Sequence, residues 1–239
     1  MATFVLVHGG FHGGWCWRRV APPLRAAGHA VYTPTLTGLG ERAHLATPAI
    51  GLDTHIRDVL GVLEYEELRD VVLVGHSMAG MVVTGVAERA ADRLAHLVYL
   101  DACVPRDGEC HLDAEGIRGA ARAAFEAGAG SDGRVAPRLR PHLFGVDSAE
   151  DSAWVNGKLT PHPLKAFTDP LAVADAARFA GRRTFVLCAA GGDADAVRAT
   201  QMAARLRAES GWRYRQLATG HDAMITMPRE LAALLLEVA

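Results

Sequence analysis

The stretch that decides the fold is Val71-Val72-Leu73-Val74-Gly75-His76-Ser77-Met78-Ala79-Gly80. Its four consecutive apolar residues, three of them β-branched, predict a strand that is covered on both faces, as the strands of a parallel sheet are. The strand runs into small residues around Ser77, and the residues that follow, up to Arg89, predict a helix. A serine on such a sharp turn is held with its hydroxyl exposed, which needs small neighbours, here Gly75 and Ala79. We therefore predict that Ser77 is a catalytic nucleophile.

Outward from this turn, short apolar runs alternate with helical stretches, which is typical of an α/β fold with a parallel sheet. The predicted strands are Phe4–Val7, Ala30–Thr33, Val71–Val74, Leu97–Leu100, Thr184–Leu187 and Arg213–Leu217. The predicted helices are Trp15–Ala27, Thr54–Leu63 with Asp53 or Thr54 as N-cap, Met78–Arg89, Ala194–Ala208 and Arg229–Val238. We expect a six-stranded, mainly parallel sheet flanked by helices.

The alternation is interrupted between Arg106 and Phe179, where alanine-, glycine- and proline-rich sequence has no strand pattern. A structureless loop of this length is implausible inside a compact domain. We therefore predict a mostly helical cap at residues 106–179, inserted into a core that is formed by residues 1–105 and 180–239.

Composition excludes several classes of function for this chain of 239 residues. Its 25 Lys and Arg nearly balance its 27 Asp and Glu, so it has no long-range field that would gather nucleic acid. No apolar run approaches the roughly 18 residues of a membrane span, and the N-terminus lacks the basic region of a secretory signal. We expect a soluble, cytoplasmic protein without a membrane or nucleic-acid partner. The cysteines have no C-x-x-C pair and are predicted to be free thiols.

A glycine-rich loop follows the first predicted strand, in His8-Gly9-Gly10-Phe11-His12-Gly13-Gly14. Backbone N–H groups in such a loop, together with the one that follows the nucleophile, can stabilise an oxyanion. We expect Gly10 and Met78 to supply these donors. A metal site at His8 and His12 is not expected, because the glycines prevent a helix there and no acidic third ligand accompanies the pair.

The general base is expected at His221, which lies between the last predicted strand and the last helix. Two residues are candidates for the acid that orients it. Asp101 directly follows the fourth strand, where a carboxylate is rigidly held and needs a partner to offset its desolvation. Asp193 lies in the loop after the fifth strand and could instead cap a helix. We favour Asp101 and keep Asp193 as the alternative.

With these residues in place, the chain resembles the α/β hydrolases. Within them it resembles the branch of plant hydroxynitrile lyases and methyl salicylate-type methylesterases, with their bacterial esterase relatives. The resemblance spans nearly the whole chain and is carried by Val5–Trp17, Gly75–Gly80 and Gly220–Asp222. It implies a six-stranded core, a helical cap above the serine, no cofactor and, in many members, a homodimer.

The same resemblance bears on the acid and on the reaction. The plant members take their acid from a loop that corresponds to Asp193, whereas haloalkane dehalogenases, whose nucleophile is an aspartate, place it as Asp101 is placed. Hydroxynitrile lyases of this branch carry a threonine after the first-strand histidine and a lysine after the catalytic histidine, where it holds cyanide. Here those positions hold Gly9 and Asp222, so ester hydrolysis is preferred.

The resulting prediction is a serine carboxylesterase that cleaves a small, fairly apolar ester through an acyl-enzyme intermediate. Four side chains are expected to line its substrate pocket, namely Phe11, Trp154, Phe167 and Met224. Two alternatives stay open. One is a hydroxynitrile lyase or cyclase-type biosynthetic enzyme on the same fold, and the other is a ligand-binding, receptor-like protein that has the fold without turnover.

Overall fold

The computed structural model describes residues 1–137, 144–174, 179–190 and 194–239. In this part of the chain six strands form one sheet, in the order β2-β1-β3-β4-β7-β8, and every neighbouring pair is parallel. A separate antiparallel pair is formed by β5 and β6. The strands are β1 (Thr3–Val7), β2 (Ala30–Tyr32), β3 (Val71–His76), β4 (Leu94–Leu100), β5 (Arg134–Val135), β6 (His162–Pro163), β7 (Arg183–Cys188) and β8 (Trp212–Leu217).

Helices connect the strands and cover both faces of the sheet. The α-helices are α1 (Ala21–Ala26), α2 (Leu52–Tyr65), α3 (Ala79–Ala90), α4 (His111–Ala114), α5 (Gly119–Ala127), α6 (Ala149–Asn156), α7 (Lys165–Thr168), α8 (Ala194–Ala208), α9 (Ala223–Thr226) and α10 (Pro228–Leu236). Short 3-10 helices span Gly14–Arg19, Gly40–Leu45 and Ala91–Arg93. The predicted α/β fold with a six-stranded sheet is confirmed.

Alternate residues of the strands enter two separate hydrophobic cores. On β1, Val5 and Val7 pack with α2, α3 and α8 on one face, whereas Phe4 and Leu6 pack with α1 and α10 on the other. Successive side chains of a strand point to opposite faces, so a strand that is buried on both must be apolar throughout. This explains why most of the predicted strands are nearly continuous apolar runs.

Two helix predictions need correction. The single helix expected over Trp15–Ala27 is a 3-10 turn followed by α1, because Pro22 and Pro23 have no N–H group with which to continue the preceding helix. The N-cap of α2 is Gly51, and neither Asp53 nor Thr54 has that role. The first N–H group of α2, on Leu52, donates instead to the Asp169 carboxylate at 3.1 Å.

Residues 106–179 contain four of the short helices, α4 to α7, in the described part of that segment. Although the sequence of this segment has no strand pattern, β5 and β6 pair in it, with Val135 opposite His162 and Arg134 opposite Pro163. Strands of two residues are too short to show an alternating pattern, and a proline is tolerated in a strand that lies at an edge.

The parallel arrangement gathers three loops at one edge of the sheet. β3 and β4 are neighbours, so Ser77 and Asp101, which follow them, emerge side by side, and the loop after β8 brings His221 to the same edge. All four cysteines are buried and free, as predicted. Among the described helices, none is long and apolar enough to cross a membrane.

Candidate active site

Ser77 occupies a strained turn between β3 and α3. Its φ is 56°, in the left-handed region that a serine adopts at a cost of order 1–3 kcal/mol. Gly75 makes this turn possible, because a Cβ at that position would lie 2.8 Å from the Ala79 carbonyl oxygen and from a methyl group of Val83. The glycine at position 75 is therefore required by the close packing of the turn on its own helix.

His221 is joined to Asp101 by a short hydrogen bond. His221 Nδ1 lies 2.7 Å from Asp101 Oδ2, and the Cys188 N–H donates to Asp101 Oδ1 at 3.0 Å. Asp101 itself has a φ of 44° and its side chain is 3% exposed. A carboxylate accepts hydrogen bonds, so Nδ1 carries a proton and Nε2 faces away from the pair. The alternative acid, Asp193, lies outside the described residues.

The electrostatic surroundings favour a proton on His221. Burial lowers the pKa of the imidazole, but the hydrogen bond and charge of Asp101, with a smaller contribution from Asp222, outweigh burial and raise the pKa above its usual value. Removal of Asp101 would leave burial as the main influence.

The candidate oxyanion donors Gly10 and Met78 lie at the wall of the same cavity as Ser77 and His221. In the described part of the chain, no protein atom accepts a hydrogen bond from the N–H group of either residue. The neighbouring N–H group, on Phe11, is occupied, because it donates to His162 Nδ1 at 3.1 Å. Two donors at this wall thus remain available to a substrate oxygen.

A buried polar network, which sequence reasoning missed, lies behind His221. His12 Nε2 contacts Asp222 Oδ2 at 3.2 Å, and His76 Nε2 donates to the His221 carbonyl oxygen at 3.0 Å. Asp222 is fully buried and is absent from the cavity wall. Its neighbour His12 lies in the glycine-rich loop after the first strand, and its neighbour His76 lies directly before Ser77. Neither motif indicates that these histidines contact Asp222.

The cavity above Ser77 has a volume of about 710 Å³. The predicted lining residues Phe11 and Phe167 are on its wall, but Trp154 and Met224 are not. Trp154 packs edge-on against Trp15, with ring centroids 5.3 Å apart, under the Arg19 guanidinium. Met224 is fully buried in the core on the α1–α10 face of the sheet.

Most of the remaining apolar wall comes from residues 106–179. Helix α5 presents Ala121, Ala124 and Phe125, which have the i, i+3, i+4 spacing of one helix face, and Ile117 and Phe144 add to them. This spacing was visible in the sequence and could have found these residues. His111 and Glu115 place polar groups on the same wall.

Two groups of residues resemble metal ligands, and each has other roles. His8 Nδ1 contacts the Gly9 carbonyl oxygen and His8 Nε2 accepts the Leu36 N–H, so both of its nitrogens have protein partners. Cys103, His111 and Glu115 have ligand atoms within 4.8 Å of one another. The Cys103 thiol faces the Ser77 carbonyl oxygen at 3.6 Å and lies 3.4 Å from His111 Nδ1, and burial raises its pKa well above the usual value.

Comparison with known proteins decides the family. The alpha/beta hydrolase family profile matches residues 4–234. The chain belongs to the α/β hydrolase family. Carbendazim hydrolyzing esterase from Nocardioides sp. (strain SG-4G) is 43% identical to it over 243 residues, which cover 97% of each chain. The pFDCC methylesterase MES16 from Arabidopsis thaliana is 28% identical over 181 residues, which cover 70% of this hydrolase and 67% of the methylesterase.

The solved structures agree on the fold. An extracellular alpha/beta-hydrolase from a Paenibacillus species superposes with a TM-score of 0.82 at 21% identity, covering 100% of this chain and 99% of the other. The predicted resemblance to the methylesterase-like branch is confirmed. This hydrolase is a carboxylesterase, and neither the lyase or cyclase alternative nor the receptor alternative gains support from its relatives.

Proposed function

We propose that this carboxylesterase acts through Ser77 as nucleophile, His221 as general base and Asp101 as the acid that orients the base. The observation that carries the proposal is the 2.7 Å contact between His221 Nδ1 and Asp101 Oδ2, at the edge of a cavity that Ser77 also lines. Because Nδ1 holds its proton against the carboxylate, Nε2 is the nitrogen that accepts the proton of the serine hydroxyl.

The reaction then runs in two stages. Ser77 Oγ attacks the ester carbonyl as His221 takes its proton, and the N–H groups of Gly10 and Met78 hold the negative charge that develops on the carbonyl oxygen. The tetrahedral intermediate collapses, the alcohol leaves with the proton from His221, and an acyl-enzyme remains. Water activated by His221 attacks the acyl group and releases the acid and the serine.

Hydrolysis, and not cyanohydrin cleavage, fits the two positions that distinguish the lyases. A Cβ on Gly9 would lie 2.8 Å from both His76 Nδ1 and Ser77 Cβ, so a threonine would have to displace the nucleophile turn. Asp222 lies behind the site and carries a negative charge, because burial raises its pKa but the charge and hydrogen bond of His12, together with the nearby His76 and His221, lower it by more. Neither position can assist a cyanide ion.

We further propose that residues 106–179 form a cap above a core of residues 1–105 and 180–239. Phe125 and Phe167 from this segment and Phe11 from the core form an aromatic wall, with Phe167 centred 5.2 Å from Phe125 and 5.8 Å from Phe11. Such a wall favours a small, fairly apolar ester with an aromatic or branched group. A homodimer, which the family resemblance implies, stays a prediction for light scattering to test.

Carbendazim is the first substrate to assay, since the relative that shares 43% of its residues is named for hydrolysing it. A panel of p-nitrophenyl esters with acyl groups of increasing size would map the pocket in parallel. We expect the wild-type protein to react with a fluorophosphonate probe and to hydrolyse these esters, and Ser77→Ala to lose both properties. A Ser77→Ala variant that keeps its activity would refute the mechanism.

A further inference from the structure

The peptide bond between Gly10 and Phe11 is held at both of its polar ends by histidines. The Gly10 carbonyl oxygen lies 2.8 Å from His12 Nδ1, and the Phe11 N–H donates to His162 Nδ1 at 3.1 Å. A carbonyl oxygen accepts and an N–H group donates, so Nδ1 of His12 carries a proton whereas Nδ1 of His162 offers a lone pair. His162 is therefore a neutral imidazole with its proton on Nε2.

The conformation of this peptide needs such support. Phe11 has a φ of 67°, which is strained for a residue with a side chain and persists where surrounding contacts determine it. Gly10, directly before it, has no Cβ to restrict its own torsions, so the loop could rotate there if the peptide were released. The Gly10 N–H group, one of the two proposed oxyanion donors, lies in the preceding Gly9–Gly10 peptide, so an anchored Gly10–Phe11 peptide limits how far the Gly10 torsions can turn that N–H group.

His162 itself is firmly placed. It belongs to β6, where it pairs with Val135, and it is fully buried. Its ring packs on Phe167, with centroids 4.6 Å apart, and lies edge-on to His55 at 5.3 Å. Burial, followed by the nearby imidazoles of His55, His8, His111 and His12, lowers its pKa well below the usual value, which keeps Nδ1 free to accept.

We infer that His162 is a positioning residue for the oxyanion hole. Through its hydrogen bond to the Phe11 N–H it fixes the Gly10–Phe11 peptide and so aims the Gly10 N–H at the substrate oxygen. The inference rests on the proposed function, because it assumes that Gly10 is an oxyanion donor. It also assigns a role to the segment 106–179 beyond lining the pocket. His162 of that segment holds the Phe11 N–H group, which lies 151 positions earlier in the chain.

Three variants separate this role from a structural one. The side-chain oxygen of His162→Asn can occupy the place of Nδ1 and accept the Phe11 N–H. His162→Gln places its amide near the position of Nε2, and His162→Leu removes the acceptor at similar volume. All three variants are first checked for folding by circular dichroism and thermal unfolding. If the Leu variant does not fold, the comparison of the Asn and Gln variants tests the role of His162.

For p-nitrophenyl acetate we expect kcat to fall about 10- to 100-fold in the Leu and Gln variants, with KM within about 3-fold of wild type, because a misplaced donor acts on the transition state. The Asn variant should stay within about 3-fold of wild-type kcat. Affinity for a trifluoromethyl ketone, whose adduct with Ser77 carries an oxyanion, should fall in parallel with kcat/KM.

The inference is overturned if folded Leu or Gln variants keep the wild-type kcat and trifluoromethyl ketone affinity, or if Asn is as slow as Gln. If one of these results is obtained and the Ser77→Ala variant is inactive, the proposed triad stands and only the role of His162 is refuted. If Ser77→Ala stays active and the wild type does not react with a fluorophosphonate, the proposed function itself fails.

Discussion

His12 and Asp222 form a buried pair that links the first loop of the chain to the last, with His12 Nε2 3.2 Å from Asp222 Oδ2. The second nitrogen of His12 faces the Gly10 carbonyl oxygen at 2.8 Å, so both nitrogens carry protons and the imidazole is positively charged. Burial lowers the pKa of His12, but the charge and hydrogen bond of Asp222, together with the hydrogen bond to the Gly10 carbonyl oxygen, raise it by more. The pair is a buried imidazolium–carboxylate contact, placed between the proposed oxyanion loop and the base.

The first prediction concerns the stability that this pair provides. Asp222→Asn should lower the free energy of unfolding by about 3–5 kcal/mol at pH 5 to 6, because the buried His12 imidazolium loses the carboxylate that compensates its charge. Urea unfolding monitored by circular dichroism measures the difference. The matched control is Asp92→Asn, whose carboxylate is exposed and 3.8 Å from Arg69, and which should change stability little.

The pH dependence of this difference in unfolding free energy follows from the shifted pKa values of His12 and Asp222. The raised pKa of His12 contributes stability that is complete below its unfolded value of 6.5 and is lost as the pH rises through the folded pKa. The lowered pKa of Asp222 contributes stability above its unfolded value of 3.8, lost as the pH falls through the folded pKa. The stability gap between wild type and Asp222→Asn should therefore be widest between about pH 4 and 6.5, and a gap independent of pH would contradict the pair.

The second prediction identifies the acid. Asp101→Asn should reduce kcat for p-nitrophenyl acetate by a factor of order 10⁴, because an amide cannot hold His221 in the required tautomer. Asp193→Asn should stay within a few-fold of wild type. Steady-state kinetics on both variants, with thermal unfolding as a folding check, decides between them, and the reverse ranking would assign the acid to Asp193.

The third prediction concerns the protonation of His221. Since the base must be neutral, kcat/KM of the wild type should rise with pH through the raised pKa of His221 and reach a plateau above it. In Asp101→Asn the main influences that raise the pKa are lost and burial lowers it. The imidazole titration followed by NMR should then move to lower pH, and a midpoint that stays unchanged would show that Asp101 does not act on His221.

The fourth prediction tests the close packing at Gly9. Gly9→Ala should lower kcat and also the free energy of unfolding, by about 1–3 kcal/mol, because its Cβ would lie 2.8 Å from Ser77 Cβ and from His76 Nδ1. Gly61→Ala is the matched control. A Cβ on Gly61, in helix α2, meets nothing within 4 Å, and alanine favours a helix by up to about 1 kcal/mol. Equal behaviour of the two variants would argue against the steric explanation.

The fifth prediction separates the pocket wall from the core behind it. Phe125→Ala should raise KM for bulky aromatic esters about 10-fold and leave KM for p-nitrophenyl acetate nearly unchanged, because the ring lines the cavity beside Phe167 and a large aromatic group gains more from that contact than an acetyl group does. Trp154→Ala should leave both KM values unchanged and lower the melting temperature, since its ring packs on Trp15 and under Arg19. An ester panel measured on both variants distinguishes these roles.

Local patterns in the sequence were sufficient to predict the sheet and to select the candidate residues that follow its strands. The β-branched run before Ser77 indicated a strand that is buried on both faces, and the small residues around Ser77 indicated a tight turn. A strand and a turn can both be predicted in this way because each depends on residues that are close in the chain. Asp101 could be favoured for a similar reason, because a carboxylate directly after a buried strand must find a partner. His221 was predicted on a different ground, its place in the chain between the last predicted strand and the last helix.

Tertiary structure alone decided which distant groups meet. A sequence pattern indicates that a side chain is apolar and gives no sign of what lies against it. Trp154 and Met224 were therefore expected at the pocket, but Met224 packs in the core and the partly buried Trp154 packs against it. The contact between Phe11 and His162 spans 151 residues and that between His12 and Asp222 spans 210, and both form because parallel strands and the inserted segment bring separate loops to one edge of the sheet. The hydrogen-bonding partners of these buried polar groups depend on which loops meet at that edge, and no local pattern of residues encodes which loops meet.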